Sequence, residues 1–144
     1  MVRHLAGVAE IVEDVNAAVA FYQETLGLIL KQRQGDDYVV FEVPGILHFG
    51  IWSRSAAAQA TFGDRAAADS IPLGYTLEFE VDELDQTANQ IDASQCVLVQ
   101  PPHEEPWGQK TCRVIAPGGG LLGFAVTPWA RRLAQQVQAA PNDT

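Results

Sequence analysis

Cysteine and basic residues are both scarce in this chain of 144 residues. Only two cysteines occur, Cys96 and Cys112, and no Cys-x-x-Cys or Cys/His cluster gives the spacing of a zinc site. Nine Lys and Arg residues stand against 18 Asp and Glu, for a formal net charge of -9. Because such a surface repels phosphate groups, the sequence predicts no nucleic-acid partner and disfavours anionic membranes.

Long apolar runs are also missing. No segment approaches the roughly 18 apolar residues of a membrane span. Acidic residues interrupt the first 15 residues, where a signal peptide needs an unbroken apolar run. We therefore expect a cytoplasmic protein without a membrane partner. With 47% apolar and 19% charged residues, the composition is typical of one globular domain with a packed core.

Secondary-structure patterns follow one order in the first part of the chain. Small and β-branched residues at 4–12 predict a strand. Asp14 is a suitable N-cap for a helix whose apolar residues recur at helical spacing as far as Leu26. Turn residues then separate three predicted strands, at 28–34, 38–43 and 46–52. The first unit is therefore β-α-β-β-β.

The same order begins again after an Ala- and Ser-rich linker that contains a short helix. Residues 74–81 alternate as in a strand, and Asp82 is expected to cap a helix running to about Ala93. Three more strands are predicted at 95–100, 110–116 and 121–126. Two residue pairs at equivalent places, Gly7 with Thr76 and Asp14 with Glu83, are each 69 residues apart. The chain therefore contains an internal duplication.

This duplication predicts an α+β fold of two tandem βαβββ modules that form a half-open β-barrel with a concave cleft. The chain is expected to be a single domain. Its first module covers about 1–54, its linker 55–72, its second module about 73–129, and its tail 130–144 continues a terminal helix.

Three segments resemble the vicinal-oxygen-chelate superfamily of glyoxalases, bleomycin-resistance proteins and extradiol dioxygenases. "GVAEIVEDVNAAVAFYQETLGL" is similar to the superfamily's opening, "LEFEVDELD" to the opening of its second module, and "PWGQKTCRVIAPGGGLLGFAV" to its closing hairpin. The resemblance covers about 4–127. The residues that fit the opening are Asp14, Phe21, Tyr22, Leu26 and Gly27.

Enzymes of this superfamily hold one divalent metal through His, Gln or Glu side chains on four strands. The resemblance places these positions at Gly7, Thr76 and Gly123, and the fourth at His48 or, two residues on, Gly50. Glycine donates no ligand, and a catalytic metal normally needs three protein ligands. We therefore expect no metal or other cofactor. The resemblance is closest to the metal-free members of the bleomycin-resistance type.

Alternation in the second module predicts which residues face the cleft. If Leu77, Phe79 and Val81 pack under the helix, then Thr76, Glu78 and Glu80 face the concave side. Glu78 then either lines the cleft as an anionic contact for a cationic ligand or is a solvated carboxylate.

The same reasoning in the first module places Leu47, Phe49 and Ile51 under the helix. His48, Gly50 and Trp52 then face the cleft, together with Tyr38 of the preceding strand. His48 is a general base or ligand contact, or a hydrogen-bonded spectator. Trp52 offers a stacking surface, and Trp107 is a lid residue or a loop anchor. Glu10 falls on the helix side, which indicates either a bulge or an edge position.

Ligand-binding residues are thus predicted at Tyr38, His48, Trp52, Thr76, Glu78 and Trp107. The leading hypothesis is a homodimer that sequesters a small molecule, such as an antibiotic or another cationic amphipathic ligand, without breaking a bond. One alternative is a lyase, isomerase or dioxygenase-like enzyme of the superfamily; a metal-independent lyase or isomerase would use His48 or Glu78 as general base. Another is a regulatory or structural domain whose cleft is filled.

Overall fold

A computed structural model describes residues 1–94 and 96–129. A π-helical turn at Phe21–Thr25 follows the first helix, and a 3-10 helix at Arg65–Ser70 follows the second. In chain order the other elements are β1 (Val2–Val12), α1 (Val15–Ala20), β2 (Ile29–Gln34), β3 (Tyr38–Glu42), β4 (Phe49–Ser53), α2 (Arg54–Phe62), β5 (Gly74–Val81), α3 (Leu84–Asp92), β6 (Val97–Glu104), β7 (Lys110–Ile115) and β8 (Leu121–Val126).

All eight strands form one open sheet in the order β2-β3-β4-β1-β5-β8-β7-β6. The two modules meet where β1 pairs antiparallel with β5. Within each module the first strand pairs parallel with the last, β1 with β4 and β5 with β8. The predicted α+β fold is confirmed, and the duplicated order of elements gives the sheet its two similar halves.

Helices α1 and α3 pack on the convex face of the sheet. Val15, Val19 and Tyr22 contact the inward side chains of β3 and β4, and Leu84 and Ala88 of α3 form a second cluster around Val81 and Cys112. Burial of these apolar side chains is the main stabilising contribution. Phe49 and Ile51 lie under α1 as predicted, but Leu47 is 77% exposed because β4 begins only at Phe49.

The linker between the modules packs on the concave face. Ala57 and Ala58 of α2 are fully buried against Ile11 and Leu121, and Ile71 closes the same cluster. Alanine side chains let the helix approach the sheet closely. The sequence predicted only a linker with a short helix, whereas this segment covers one end of the cleft.

Glu10 lies on the convex face without a bulge at its position. It pairs regularly with Ile51 on one side and Tyr75 on the other, so β1 is a central strand there. The hydroxyl of Tyr22 donates a hydrogen bond to Oε1 of Glu10 at 2.7 Å. Neither a bulge at Glu10 nor an edge position was therefore correct: the register shifts of β1 lie further towards its N-terminus.

Some predicted boundaries were wrong. The N-cap of α3 is Glu83 rather than Asp82, and β6 extends through Glu104, four residues beyond the predicted end of that strand at residue 100. Helix α1 ends at Ala20 and continues as the π-helical turn. The predicted terminal helix lies mostly outside the described residues. Among the described helices, none has the length and apolar character needed to cross a membrane.

Candidate functional site

A line of side chains crosses the concave face where the strands pair. Gly7 lies opposite Glu78, Glu78 lies beside Gly123, and Arg113 lies opposite Gly123. At one end, the His48 carbonyl accepts from the Val8 amide. In order across the sheet, this central row consists of His48, Gly7, Glu78, Gly123, Arg113 and Gln100.

Glu78 is the only acidic residue of the central row and stands between two glycines. Its carboxylate forms no ion pair with the described residues. Burial raises the pKa of Glu78, and the nearby Arg113 guanidinium partly opposes that shift. The amide of Gln109 also favours the ionised form. Glu78 is therefore a carboxylate that a bound cation would stabilise.

Arg113 is 6% exposed and lies between the two modules. Its Nη1 donates to Gln100 Oε1 at 2.5 Å and lies 3.3 Å from Glu105 Oε1. The same nitrogen contacts the Ala60 carbonyl at the end of α2. The guanidinium carbon lies 5.4 Å from the centre of the Trp52 ring, within range of a cation–π interaction. The position of Arg113 is thus fixed from several sides.

Tyr38 and His48 form a hydrogen-bonded pair on the other module. The Tyr38 hydroxyl and His48 Nε2 are 2.6 Å apart, and the two rings stack. Burial lowers the pKa of His48, with a smaller contribution from Lys31, so the imidazole is neutral near pH 7. A Cβ added at Gly50 would lie 2.6 Å from the Tyr38 hydroxyl. Gly50 therefore leaves the space that Tyr38 uses to reach His48.

The second module buries more acid than base on this face. Glu105 is 5% exposed and accepts from the Thr111 hydroxyl, and Glu80, 1% exposed, accepts from the Thr127 amide. With the half-buried Glu78 they place three carboxyl groups in the second module, of which Glu105 lies against Arg113. Sequence reasoning missed Glu105 and Arg113, because neither has a neighbour in the chain that indicates its partners.

The remaining predicted ligand residues have different surroundings. Trp52 faces the concave side, but Arg113 occupies its ring face. Thr76 lies opposite Ala9, and its hydroxyl donates to the Leu121 carbonyl at 2.7 Å. Trp107 is 56% exposed in the turn after β6 and donates to Gln109. The structure therefore groups Tyr38 with His48 and Trp52, and places Thr76 in a backbone contact.

The residues at the superfamily's metal positions do not fit a metal. Gly7 and Gly123 carry no donor atom, and the Thr76 hydroxyl is bonded to the backbone. Nε2 of His48 is bonded to Tyr38, which also fills the space beside Gly50. Within residues 1–94 and 96–129, no three His, Cys, Asp or Glu residues are grouped as metal ligands. These positions therefore do not supply the three side-chain ligands that a catalytic metal normally needs.

Solved structures share this fold. A glyoxalase/bleomycin resistance protein/dioxygenase superfamily member from Vibrio splendidus 12B01 has 16% identity and a TM-score of 0.62, covering 86% of this chain and all of its own. Methylmalonyl-CoA epimerase from Mycobacterium tuberculosis has 21% identity and a TM-score of 0.57, covering 91% of this chain and 93% of its own. No curated protein compared with the sequence matches it.

A family model extends the likeness from fold to family. The model described as a glyoxalase-like domain matches residues 5–124, which is most of the chain. The match includes residues of both modules and the whole central row. The chain belongs to the glyoxalase-like domain family.

Proposed function

We propose that this protein binds a small organic molecule on its concave face without a metal, and that a cationic group of the ligand contacts Glu78. One observation carries the proposal: a half-buried carboxylate stands between two glycines and has no ion-pair partner among the described residues. Burial disfavours the charged form of this carboxyl, and the Gln109 amide and the nearby Arg113 guanidinium offset that cost only in part, so a cation that reaches it is bound favourably.

The surroundings of Glu78 support a cation rather than an anion as the first contact. Arg113 is held near Glu105, whereas Glu78 forms no ion pair with the described residues. The Tyr38 and His48 rings line the first module's side and supply apolar surface. An amphipathic cation matches both features, as expected for sequestration of the bleomycin-resistance type. In this proposal the protein is a cytoplasmic homodimer.

A second candidate function is metal-independent proton transfer, as in a lyase or isomerase. The observation that favours it is the Tyr38–His48 hydrogen bond on one side of Gly7 and Glu78 on the other. The raised pKa of Glu78 brings that carboxyl nearer to pH 7, where general acids and bases work, and the lowered pKa of His48 keeps its imidazole in the neutral, basic form. A dioxygenase-like activity fits less well, because the metal donors are missing.

Calorimetric titration with benzylamine tests the proposal, with benzyl alcohol as the uncharged probe of similar shape. We expect benzylamine to bind the wild type more tightly, and Glu78→Gln to remove the difference. Loss of one charge-assisted hydrogen bond corresponds to roughly 10- to 100-fold in affinity. Glu24→Gln is the matched control, since Glu24 is exposed on the convex side beyond α1.

Equal binding of the two probes by the wild type would contradict the cation preference. Unchanged benzylamine affinity in Glu78→Gln at low salt would show that Glu78 is only a solvated carboxylate. The second candidate has a separate readout, because proton transfer would exchange a carbon-bound hydrogen of a carbonyl compound with deuterium from the solvent.

A further inference from the structure

We propose that the ligand is a small zwitterion of the amino-acid class, with its ammonium group on Glu78 and its carboxylate on Arg113. This inference rests on the proposed function and adds a second contact to it. The two side chains belong to strands β5 and β7 and are separated in the central row only by Gly123 of β8.

The side chains of Glu78 and Arg113 have opposite charges and lie on the same face of the sheet, but they form no ion pair with each other. Two strand spacings put their Cα atoms about 10 Å apart, and their charged atoms form no ion pair within 4.0 Å. They nevertheless interact, because the guanidinium affects the ionisation of the Glu78 carboxyl. A carboxylate and a guanidinium held apart in this way provide the two contacts that a zwitterion needs.

Gly123 provides room between them. The nearest atoms to a Cβ added there belong to Glu78, at 3.6 Å or more, which is ordinary van der Waals contact. No side chain of β8 therefore stands between the carboxylate and the guanidinium. The backbone of Gly123 does not require glycine, since its φ lies outside the left-handed region. Because Gly123 has no side chain, β8 does not cover the side chain of Glu78, whose Oε1 lies 3.8 Å from that Cβ position.

Arg113 still has donors for an anionic group. Its hydrogen bonds to Gln100, Glu105 and the Ala60 carbonyl all use Nη1, and Nη2 and Nε make none with the part of the chain that the structure describes. A guanidinium binds a carboxylate through two parallel N–H groups. Because Trp52 already holds the guanidinium from one face, Arg113 loses little conformational freedom when a ligand binds.

The test uses glycine, alanine and β-alanine as probes in calorimetric titrations at low salt. Each is compared with its methyl ester, which keeps only the ammonium, and with its N-acetyl form, which keeps only the carboxylate. We expect at least one free amino acid to bind. Its ester should bind roughly 10- to 100-fold more weakly, because one charge-assisted contact is lost. The N-acetyl form should not bind detectably.

Two variants locate the carboxylate contact. Gly123→Ala places a methyl group in the gap and should weaken the free amino acid more than its ester, while the circular dichroism spectrum stays unchanged. Arg113→Lys keeps the positive charge but loses the planar pair of donors, and should reduce the preference for the free amino acid over the ester. Folding of both variants is checked by thermal unfolding.

The outcomes separate this inference from the proposed function. If an ester binds as tightly as its free amino acid and Glu78→Gln abolishes both, the cation site stands and the zwitterion is overturned. If no probe binds but benzylamine does, the amino-acid class is overturned while the proposed function again stands. If Glu78→Gln binds benzylamine as tightly as the wild type does and no amino acid binds, the proposed function and the zwitterion inference both fail.

Discussion

Arg113 of the second module lies over the indole ring of Trp52 in the first, with its guanidinium carbon 5.4 Å from the ring centre. The sequence predicted a free aromatic surface at Trp52 for a ligand. Instead, the chain's own cation occupies that surface, and the interaction stabilises the contact between the modules by roughly 0.5–2 kcal/mol. Within the central row, Glu78 is the acidic side chain that forms no ion pair with the described residues.

Replacing Arg113 should destabilise the fold strongly. Arg113→Ala leaves the buried Glu105 without its guanidinium and Gln100 without its donor. We expect the free energy of unfolding to fall by about 3–5 kcal/mol, measured by urea denaturation. Arg3→Ala breaks the exposed pair with Asp82 and should cost less than about 1 kcal/mol. Similar losses for both variants would mean that the Arg113 contacts contribute little.

Glu78 should lower the stability of the protein at neutral pH. Because burial raises its pKa in the folded state, the folded chain is penalised as the carboxyl ionises above its unfolded pKa. Glu78→Gln should therefore be more stable than the wild type at pH 7, and the difference should shrink as the pH falls towards 4.5. Urea denaturation at several pH values measures it. Parallel curves at all pH values would contradict the raised pKa.

Two glycines of the concave face should respond differently to a methyl group. In Gly50→Ala the new Cβ meets the Tyr38 hydroxyl at 2.6 Å, so Tyr38 must move away from His48. Overpacking of this kind costs about 1–3 kcal/mol. In Gly123→Ala the atoms nearest to the new Cβ belong to Glu78, at 3.6 Å or more, so this variant should be neutral or slightly stabilising. Thermal unfolding of both variants measures the two losses of stability. A loss in Gly50→Ala no larger than that in Gly123→Ala would mean that the Tyr38 ring moves aside at little cost.

The protein should be a homodimer. The edges of the sheet are β2 and β6, and large apolar side chains near the β2 edge are exposed, including Ile29 at 65% and Leu26 at 54%. Open edges and apolar surface favour association with a second copy. Light scattering during gel filtration should give the mass of two chains at micromolar concentration. A mass of one chain at every concentration would contradict this.

Purified protein should carry no stoichiometric zinc, nickel, iron or manganese. Gly7 and Gly123 lack donors, and His48 is bonded to Tyr38. Elemental analysis after purification without a chelator measures the content. One equivalent of any of these metals that survives dialysis would require ligands other than those on the central row.

The alternation of residues along a strand determined which side chains face the cleft, and this much was predictable. Glu78 and His48 both lie on the concave face, as their positions relative to Val81 and Ile51 implied. Alternation does not determine which strands become neighbours, because that depends on strand order and register. The contact between Trp52 and Arg113 was therefore not predictable from the chain.

Glu10 shows a second limit of the sequence. An acidic residue under a helix conflicts with the apolar pattern unless its partner is known, and Tyr22, 12 residues later, fits the apolar spacing of α1 equally well. The ring of Tyr22 packs in the core while its hydroxyl reaches the carboxylate. Tyr22 therefore both packs in the core and binds the Glu10 carboxylate, and the apolar periodicity of the sequence indicates only the packing.

The packing of the linker on the concave face has a consequence for dividing the chain. Ala57, Ala58 and Ile71 belong to neither module, yet they complete a cluster with Ile11 of the first and Leu121 of the second. Neither half would therefore keep its apolar surface covered if it were produced separately. Proteolytic cleavage within residues 54–71 should release no independently folded fragment, so the two repeats are halves of one cooperative unit.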